Sequence, residues 1–411
     1  MESAENIRES RLGKWCLICT LGLVVVCLAV VSTRVYLKPF SHSVFPIYSF
    51  AASNWQDGKS CYFTKNAERE MDVYRYSPAV TPLFLPFHFL GEKWGGILWR
   101  FVNFGLYLHA LSLVYQIFLS KQPGWVGLSA FILLSLPLGL TNLNNGQVNL
   151  LMAALIMHGV SLAALGRISL SGFVFALATC LKIYPLAIAL MIGMAFPLRF
   201  FASFIGSVVL IFLTPFLFQT PDYVASQYSE WFSSLAKDDR SQRPLADSFR
   251  DFWLLIRLTG APIFFESYRW IQLAAAGFVG MASLFALWKR GFSQTWITRT
   301  TALGCSWVLL FGPSSESSTF VLIAPWLAMS LIQVFRGEIG KEKTLLLAGT
   351  GLLVLTVLAG ILPATRRIHS FGFHPVAAVC LFFFYFLTIT WCNLPAKNSL
   401  GEIAPGVRTG A

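Results

Sequence analysis

Apolar runs long enough to cross a bilayer recur from residue 15 to residue 393, separated by short polar breaks that carry most of the charge. The candidate spans are 15–35, 95–119, 124–142, 147–165, 168–184, 186–198, 200–218, 268–288, 296–312, 318–335, 344–362 and 375–393. This pattern predicts an all-α polytopic membrane protein with about 12 transmembrane helices and two larger extracytoplasmic loops. The loops are 36–77 and 219–262, both rich in Trp, Tyr, Asp and Arg. Residues 1–14 read as a cytoplasmic N-terminus, 15–393 as one transmembrane domain and 394–411 as a cytoplasmic tail. The proline-rich run 78–91 interrupts the alternation and reads as re-entrant or interfacial.

Composition agrees: 56% of residues are hydrophobic and 12% charged, and the mean hydropathy is +0.64, which excludes a soluble globular chain. The formal charge of +12 does not point to nucleic acid, because the basic residues sit at segment ends rather than in one stripe. Arg8, Arg11 and Lys14 precede the first apolar run, and no small-residue cleavage site follows. That run reads as a retained first helix with a cytoplasmic start. If Arg167 is cytoplasmic, alternation also places Lys121, Arg199, Lys289, Arg290, Arg336, Lys341 and Lys343 inside. Both long loops, Asn144 to Asn149 and Gly312 to Ser318 then fall together on the outside. The eight cysteines and six histidines show no metal-ligand spacing, so no metal site and no cofactor is expected, and a divalent ion has only weak support.

Candidate chemistry gathers where charge is scarcest. Between Lys121 and Arg199 the only charged residues are Arg167 and Lys182, yet this stretch holds Asn142-Leu-Asn-Asn-Gly-Gln-Val-Asn149 and Cys180-Leu-Lys-Ile-Tyr-Pro185. Amides and a lysine are costly in hydrocarbon unless they solvate something. A helix from Gln147 to Leu165 turns at Gly166-Arg167, and Lys182 follows 15 residues later, a rise of about 22 Å that returns it to the level of the amides. Lys182 and Tyr184, beside a proline break, suit a phosphate; Asn145, Gln147 and Asn149 suit sugar hydroxyls or a lipid-linked phosphate. The competing readings are a snorkelling lysine and an Asn-Gly turn with a helix cap.

The loops offer further groups. Asp72 and Asp57 are candidate general bases, Asp72 because Asp72-Val-Tyr-Arg-Tyr-Ser-Pro78 runs straight into the membrane with Arg75 and Tyr76 beside it. Asp239, Arg240 and Arg250 in the second loop could orient a phosphate, and Glu316 lies in a Pro-Ser-Ser-Glu-Ser-Ser turn between two apolar segments. Each has an ordinary alternative: solvated loop charge for the aspartates, aromatic belt for Tyr76, helix capping for Glu316.

Asn145-Gly-Gln-Val-Asn149, followed after one hairpin by Leu181-Lys-Ile-Tyr-Pro185, resembles the signature of glycosyltransferase family 87, polyprenyl-phosphate-mannose-dependent mannosyltransferases of the GT-C class. Tyr76-Ser-Pro78, Trp99-Arg-Phe-Val-Asn103 and Gly312-Pro-Ser-Ser-Glu316 support the resemblance, which covers roughly 45–335. It implies a GT-C-like fold, an outward-facing site, and inverting transfer of a mannose-like sugar from a polyprenyl-phosphate donor to a glycolipid or glycan hydroxyl. It also implies a base in the first outer loop and a bacterial cell-membrane location. The chain departs from the family where an acid is expected in that loop: His42-Ser-Val-Phe-Pro-Ile-Tyr-Ser-Phe-Ala-Ala52 contains none, so His42 or another carboxylate takes the role, or activity is lost. A histidine expected near Glu316 is also missing there. The rival readings are a transporter or flippase of lipid-linked sugar, against which the lack of an internal repeat counts, and a non-catalytic family member.

Overall fold

A computed structural model describes residues 4–62, 72–119, 124–237, 244–361 and 371–390. Helix α1 (Ala4–Leu37) leads to α2 (Phe45–Gln56), which lies within the first long loop. A 3-10 turn, Pro78–Phe84, and the one-turn α3 (Leu85–His88) hook into α4 (Gly91–Phe118). Helices α5 (Trp125–Ser135) and α6 (Pro137–Asn145) form one unit bent by 58°. Next come α7 (Asn149–Ala164), α8 (Ile168–Leu181), α9 (Pro185–Gly193) and α10 (Pro197–Leu213). The second long loop folds α11 (Pro221–Lys237) and α12 (Phe252–Thr259). The remainder is α13 (Phe265–Arg290), α14 (Gln294–Phe311), a 3-10 turn at Ser317–Leu322, α15 (Ala324–Phe335), α16 (Lys343–Ile361) and α17 (Phe373–Thr390).

Prolines start α6, α9, α10 and α15, where the missing N–H is no loss. Among the described residues, six helices are long and apolar enough to cross a membrane, or seven if the α5–α6 pair counts as one span. The other expected spans are present as shorter or more polar helices, α7, α8, α9, α14 and α15. They are packed inside the bundle, with Met152, Met157, Phe175, Ile188, Trp296 and Trp326 in a common core. The proline-rich run 78–91 is neither a span nor a loop but the 3-10 hook against α4, with Phe84 and Phe87 each 5.2 Å from the Trp99 ring.

Helix ends leave their last carbonyls without intrahelical donors. Arginines supply them: Arg336 donates to Leu119 O at 3.2 Å, and Arg290 to Ile389 O and Thr390 O at 3.0 and 3.1 Å. At the other end the two long loops lock together and cap the bundle. Cys61 N donates to Gln227 Oε1 at 3.0 Å, Ser60 Oγ to Glu230 Oε2 at 2.5 Å and Gln219 Nε2 to Trp55 O at 2.7 Å. A second core of Phe45, Tyr48, Trp55, Phe84 and Trp99 lies beneath them.

The hook approaches α4 so closely that a Cβ on Gly95 would stand 1.9 Å from the Phe87 carbonyl oxygen. Gly95→Ala is therefore expected to lower stability by about 2 kcal/mol or displace the hook, read as a fall in thermal midpoint in detergent. Gly105→Ala, on the same helix with open space around it, should show no fall.

Candidate active site

The α7–α8 hairpin performs the return that residue counting predicts. Gly166, at φ 75°, and the Arg167 N–H, bonded to Leu162 O at 2.9 Å, close the turn. Fifteen residues later α8 stops at Lys182, whose backbone is extended, and Pro185 starts the next helix three residues on. Lys182 Nζ then donates to Asn149 Oδ1 at 2.9 Å, joining the end of α8 to the start of α7.

From that bond a directed chain of donors continues. Asn149 Nδ2 donates to Gln147 Oε1 and to Ser318 Oγ, both at 3.2 Å, and Ser318 Oγ donates to Glu316 Oε2 at 3.3 Å. A cation and a carboxylate are thus linked through an amide and a hydroxyl, each polarising the next. Glu316 also forms a reciprocal cap with Thr319 at the start of the 3-10 turn, so the capping role and a site position coexist. The preceding Ser314 is held at φ 67°, an uncommon conformation for a residue with a Cβ, and its carbonyl accepts from Tyr184 OH at 3.1 Å.

Aromatic rings enclose the lysine. Its Nζ lies 5.9 Å from the Tyr76 ring centroid and 5.6 Å from that of Tyr184, within cation–π range. Tyr76 OH and Tyr48 OH are 3.0 Å apart. Burial pushes the Tyr48 phenol up to about 12, and burial also raises Tyr76. Both phenols therefore remain protonated at neutral pH and act as hydrogen-bonding groups, not as bases.

The amide turn is held from behind by α4. Gly146 adopts φ 66° at the end of α6, and its carbonyl accepts from Trp99 Nε1 at 2.8 Å. Arg100, 1% exposed, donates to Leu143 O and Asn144 O at 3.0 Å each, to Gly96 O at 2.9 Å and to Ser43 Oγ at 3.1 Å. Asn142 Nδ2 donates to Ser318 O at 2.8 Å. Asn145 contributes mainly to the turn: its carbonyl takes the Val44 N–H at 2.8 Å and its Oδ1 the Asn144 amide at 3.0 Å.

The remaining sequence candidates lie at the rim. Both oxygens of Asp72 are engaged by Arg75 at 2.8 and 2.9 Å, and the Arg75 carbonyl accepts from Trp231 Nε1 at 3.1 Å. Asp57 pairs with Lys59 at 2.9 Å on the surface, and His42 is exposed at φ 50°. Arg250 sits over the Glu316 turn through its N–H, which donates to Ser315 O at 2.6 Å. Asp239 and Arg240 lie outside the described residues. The structure thus brings Lys182, Tyr184, Asn149, Gln147, Tyr76 and Glu316 together, and places Asp72 and Asp57 in ion pairs of their own. Residues not singled out in the sequence are Tyr48, Arg100, Asp251 and Ser318. Ser318 had a signal in the hydroxyl-rich turn around Glu316, and Arg100 lies in the Trp99-Arg-Phe-Val-Asn103 motif without a role having been assigned to it.

A groove of about 530 Å³ opens beside the lysine. It begins at Ile183, Tyr184 and Pro313 and follows α9 and α13 to Met194 and Leu284. Ala276, Gly277 and Gly280 on α13 leave the space.

Asp251 occupies the other side of the Ser315 contact, where its side chain caps α12 by accepting from Leu254 N at 3.3 Å. Burial pushes its carboxyl up to about 7, against smaller opposing effects from backbone hydrogen bonds. An unfolded aspartate titrates near ~3.9, so between about pH 4 and pH 7 the folded chain keeps a proton that the unfolded chain has lost. Stability contributed by this group is full below that window and falls as pH rises through it. Asp251→Asn, which keeps an acceptor for Leu254, is expected to flatten the decline in thermal midpoint across this window; an unaltered slope would remove Asp251 as its source.

The match to known proteins follows the same residues. No curated protein matches the chain. Among solved structures it is similar, at 12% identity and a TM-score of 0.45, to the crystal structure of ArnT from Cupriavidus metallidurans bound to undecaprenyl phosphate, covering 90% of this chain and 77% of that one. The model of glycosyltransferase family 87 matches residues 74–313, a span that includes Tyr76, Trp99, Arg100, the amide turn, Lys182 and Arg250. This all-helical, multi-pass membrane chain belongs to glycosyltransferase family 87.

Proposed function

We propose that the protein transfers a mannose-like sugar from a polyprenyl-phosphate donor to a hydroxyl of a glycolipid or glycan acceptor, with inversion, on the extracytoplasmic side of a bacterial cell membrane. The observation that carries the reading is the chain Lys182, Asn149, Ser318, Glu316 at the mouth of an apolar groove. A phosphate needs a cation, a polyprenyl tail needs an apolar channel, and an acceptor hydroxyl needs a carboxylate. Here the first two meet at Lys182 and Tyr184, and the third is two hydrogen bonds beyond Asn149.

In this reading Lys182 holds the donor phosphate as a point charge and stabilises the negative charge that develops as the glycosidic bond breaks. Tyr184 and Tyr76 flank it, Gln147 and Asn149 orient the sugar, and Asn145 keeps their turn in place. Glu316 takes the proton of the acceptor hydroxyl. Burial lowers the Arg250 guanidinium from its ordinary range, and an anionic substrate beside it would favour the charged form. Arg75 and Asp72 guard the rim. No metal is required by this scheme, since the lysine supplies the positive charge at the phosphate.

Lys182→Ala should lower transfer from a radiolabelled polyprenyl-phosphate sugar by about 100-fold or more while leaving the thermal midpoint near that of the native chain. Native turnover by that variant would remove the assignment. Glu316→Gln should lose about 100-fold, with Asp72→Asn losing less than about tenfold. The reverse order would move the proton acceptor to Asp72.

A further inference from the structure

A second groove, distinct from the one beside Lys182, lies between α1 and α4 and has a volume of about 510 Å³. Its walls are apolar for most of their length, formed by Val25, Leu28, Ile97 and Phe101, and it ends at Tyr36 and Trp94. From Val25 to Tyr36 the helix rises about 16 Å, close to the ~15 Å of one leaflet of a bilayer core. The groove therefore spans the depth of one acyl chain, with a floor of hydrocarbon and a rim at the level of the headgroups.

The rim is built for an anion. Tyr36 and Trp94 meet edge to face at 5.5 Å, the arrangement of an interfacial aromatic belt. Lys93 Nζ stands 4.8 Å above the Tyr36 ring, exposed at the mouth, and Lys38 is exposed one residue beyond Leu37, which also lines the groove. The neighbouring Glu92 is half-buried, whereas Lys38 and Lys93 are both exposed, so the rim carries a net positive charge. Arg34, one turn before Lys38, is occupied by Asn144 Oδ1 and by Ser41 O. It ties the groove wall to the amide turn of the site.

We infer that this groove binds one anionic diacyl phospholipid of the bilayer, an acyl chain lying along α1 and α4 and the phosphate held by Lys93 and Lys38. The bound lipid braces α1 against α4 behind the Arg34 and Arg100 contacts that fix the amide turn. The charge complementarity selects an anionic headgroup, worth a factor of several per lysine near the surface, over a zwitterionic one.

Native mass spectrometry of the full chain in detergent, titrated with phosphatidylglycerol or phosphatidylcholine, tests the inference. The native chain should retain one phosphatidylglycerol in preference to phosphatidylcholine. Retention should fall about tenfold or more in a Lys38→Ala, Lys93→Ala double variant, whose changes are at exposed positions. It should also fall in Ala29→Trp, which fills the groove without altering charge. Equal retention of the two lipids by the native chain, unchanged phosphatidylglycerol retention in both variants, or a polyprenyl phosphate found displaced by Ala29→Trp would each overturn the assignment.

Discussion

A helix that ends against packed protein leaves carbonyls without intrahelical donors, and α6 ends in that way at Asn145, with Leu143 buried. Arg100 answers the problem with its guanidinium, buried among four oxygen acceptors. Much else depends on this. With Leu143 and Asn144 fixed, Gly146 can turn the chain in the left-handed conformation, and α7 starts where Asn149 can reach Lys182. The space for the guanidinium is itself specified, since a Cβ on Gly146 would sit 2.9 Å from it. A single side chain from α4 thereby sets the register of the two helices that carry the polar chain.

The same economy explains the aromatic cap. Tyr48 stacks on Phe84 at 4.6 Å and meets Tyr76 edge to face at 5.2 Å, so α2, the 3-10 hook and the Asp72–Ser77 segment share one packing unit. That unit rests on Trp99, whose indole also holds the Gly146 carbonyl. Loop and membrane helices are consequently not separate layers. Displacing the hook would disturb both the tyrosines around Lys182 and the support of the amide turn.

Much of this was legible in the sequence because it depends on counting along one hairpin. Fifteen residues after Arg167 a helix has returned to its starting level, and Lys182 does meet Asn149 there. The joining of Glu316 to the same place was foreshadowed only by alternation of spans. Arg100 and Tyr48 were hidden, because their partners lie 43 and 28 residues away and nothing in local periodicity marks such pairs. Asp72 looked better placed than Glu316 because sequence adjacency to Tyr76 is visible, whereas its closure onto Arg75 is a matter of side-chain direction. Hydropathy likewise could not separate helices that cross the bilayer from short ones buried within the bundle, since both are apolar throughout.

The shortness of α8 and α9 bears on how a lipid substrate reaches the protein. Fourteen residues of α8 rise about 21 Å, and nine of α9 about 13 Å, against a hydrocarbon thickness of about 30 Å. Lys182, at their junction, is therefore recessed below the plane in which phosphate headgroups ordinarily lie. Where the groove along α9 and α13 opens towards lipid, a short hydrophobic wall is matched by a local dip of the leaflet. Beside α9 the bilayer would thin towards the lysine, so that a long-tailed phosphate could arrive by lateral diffusion down a slope in the membrane surface, without first being lifted into water.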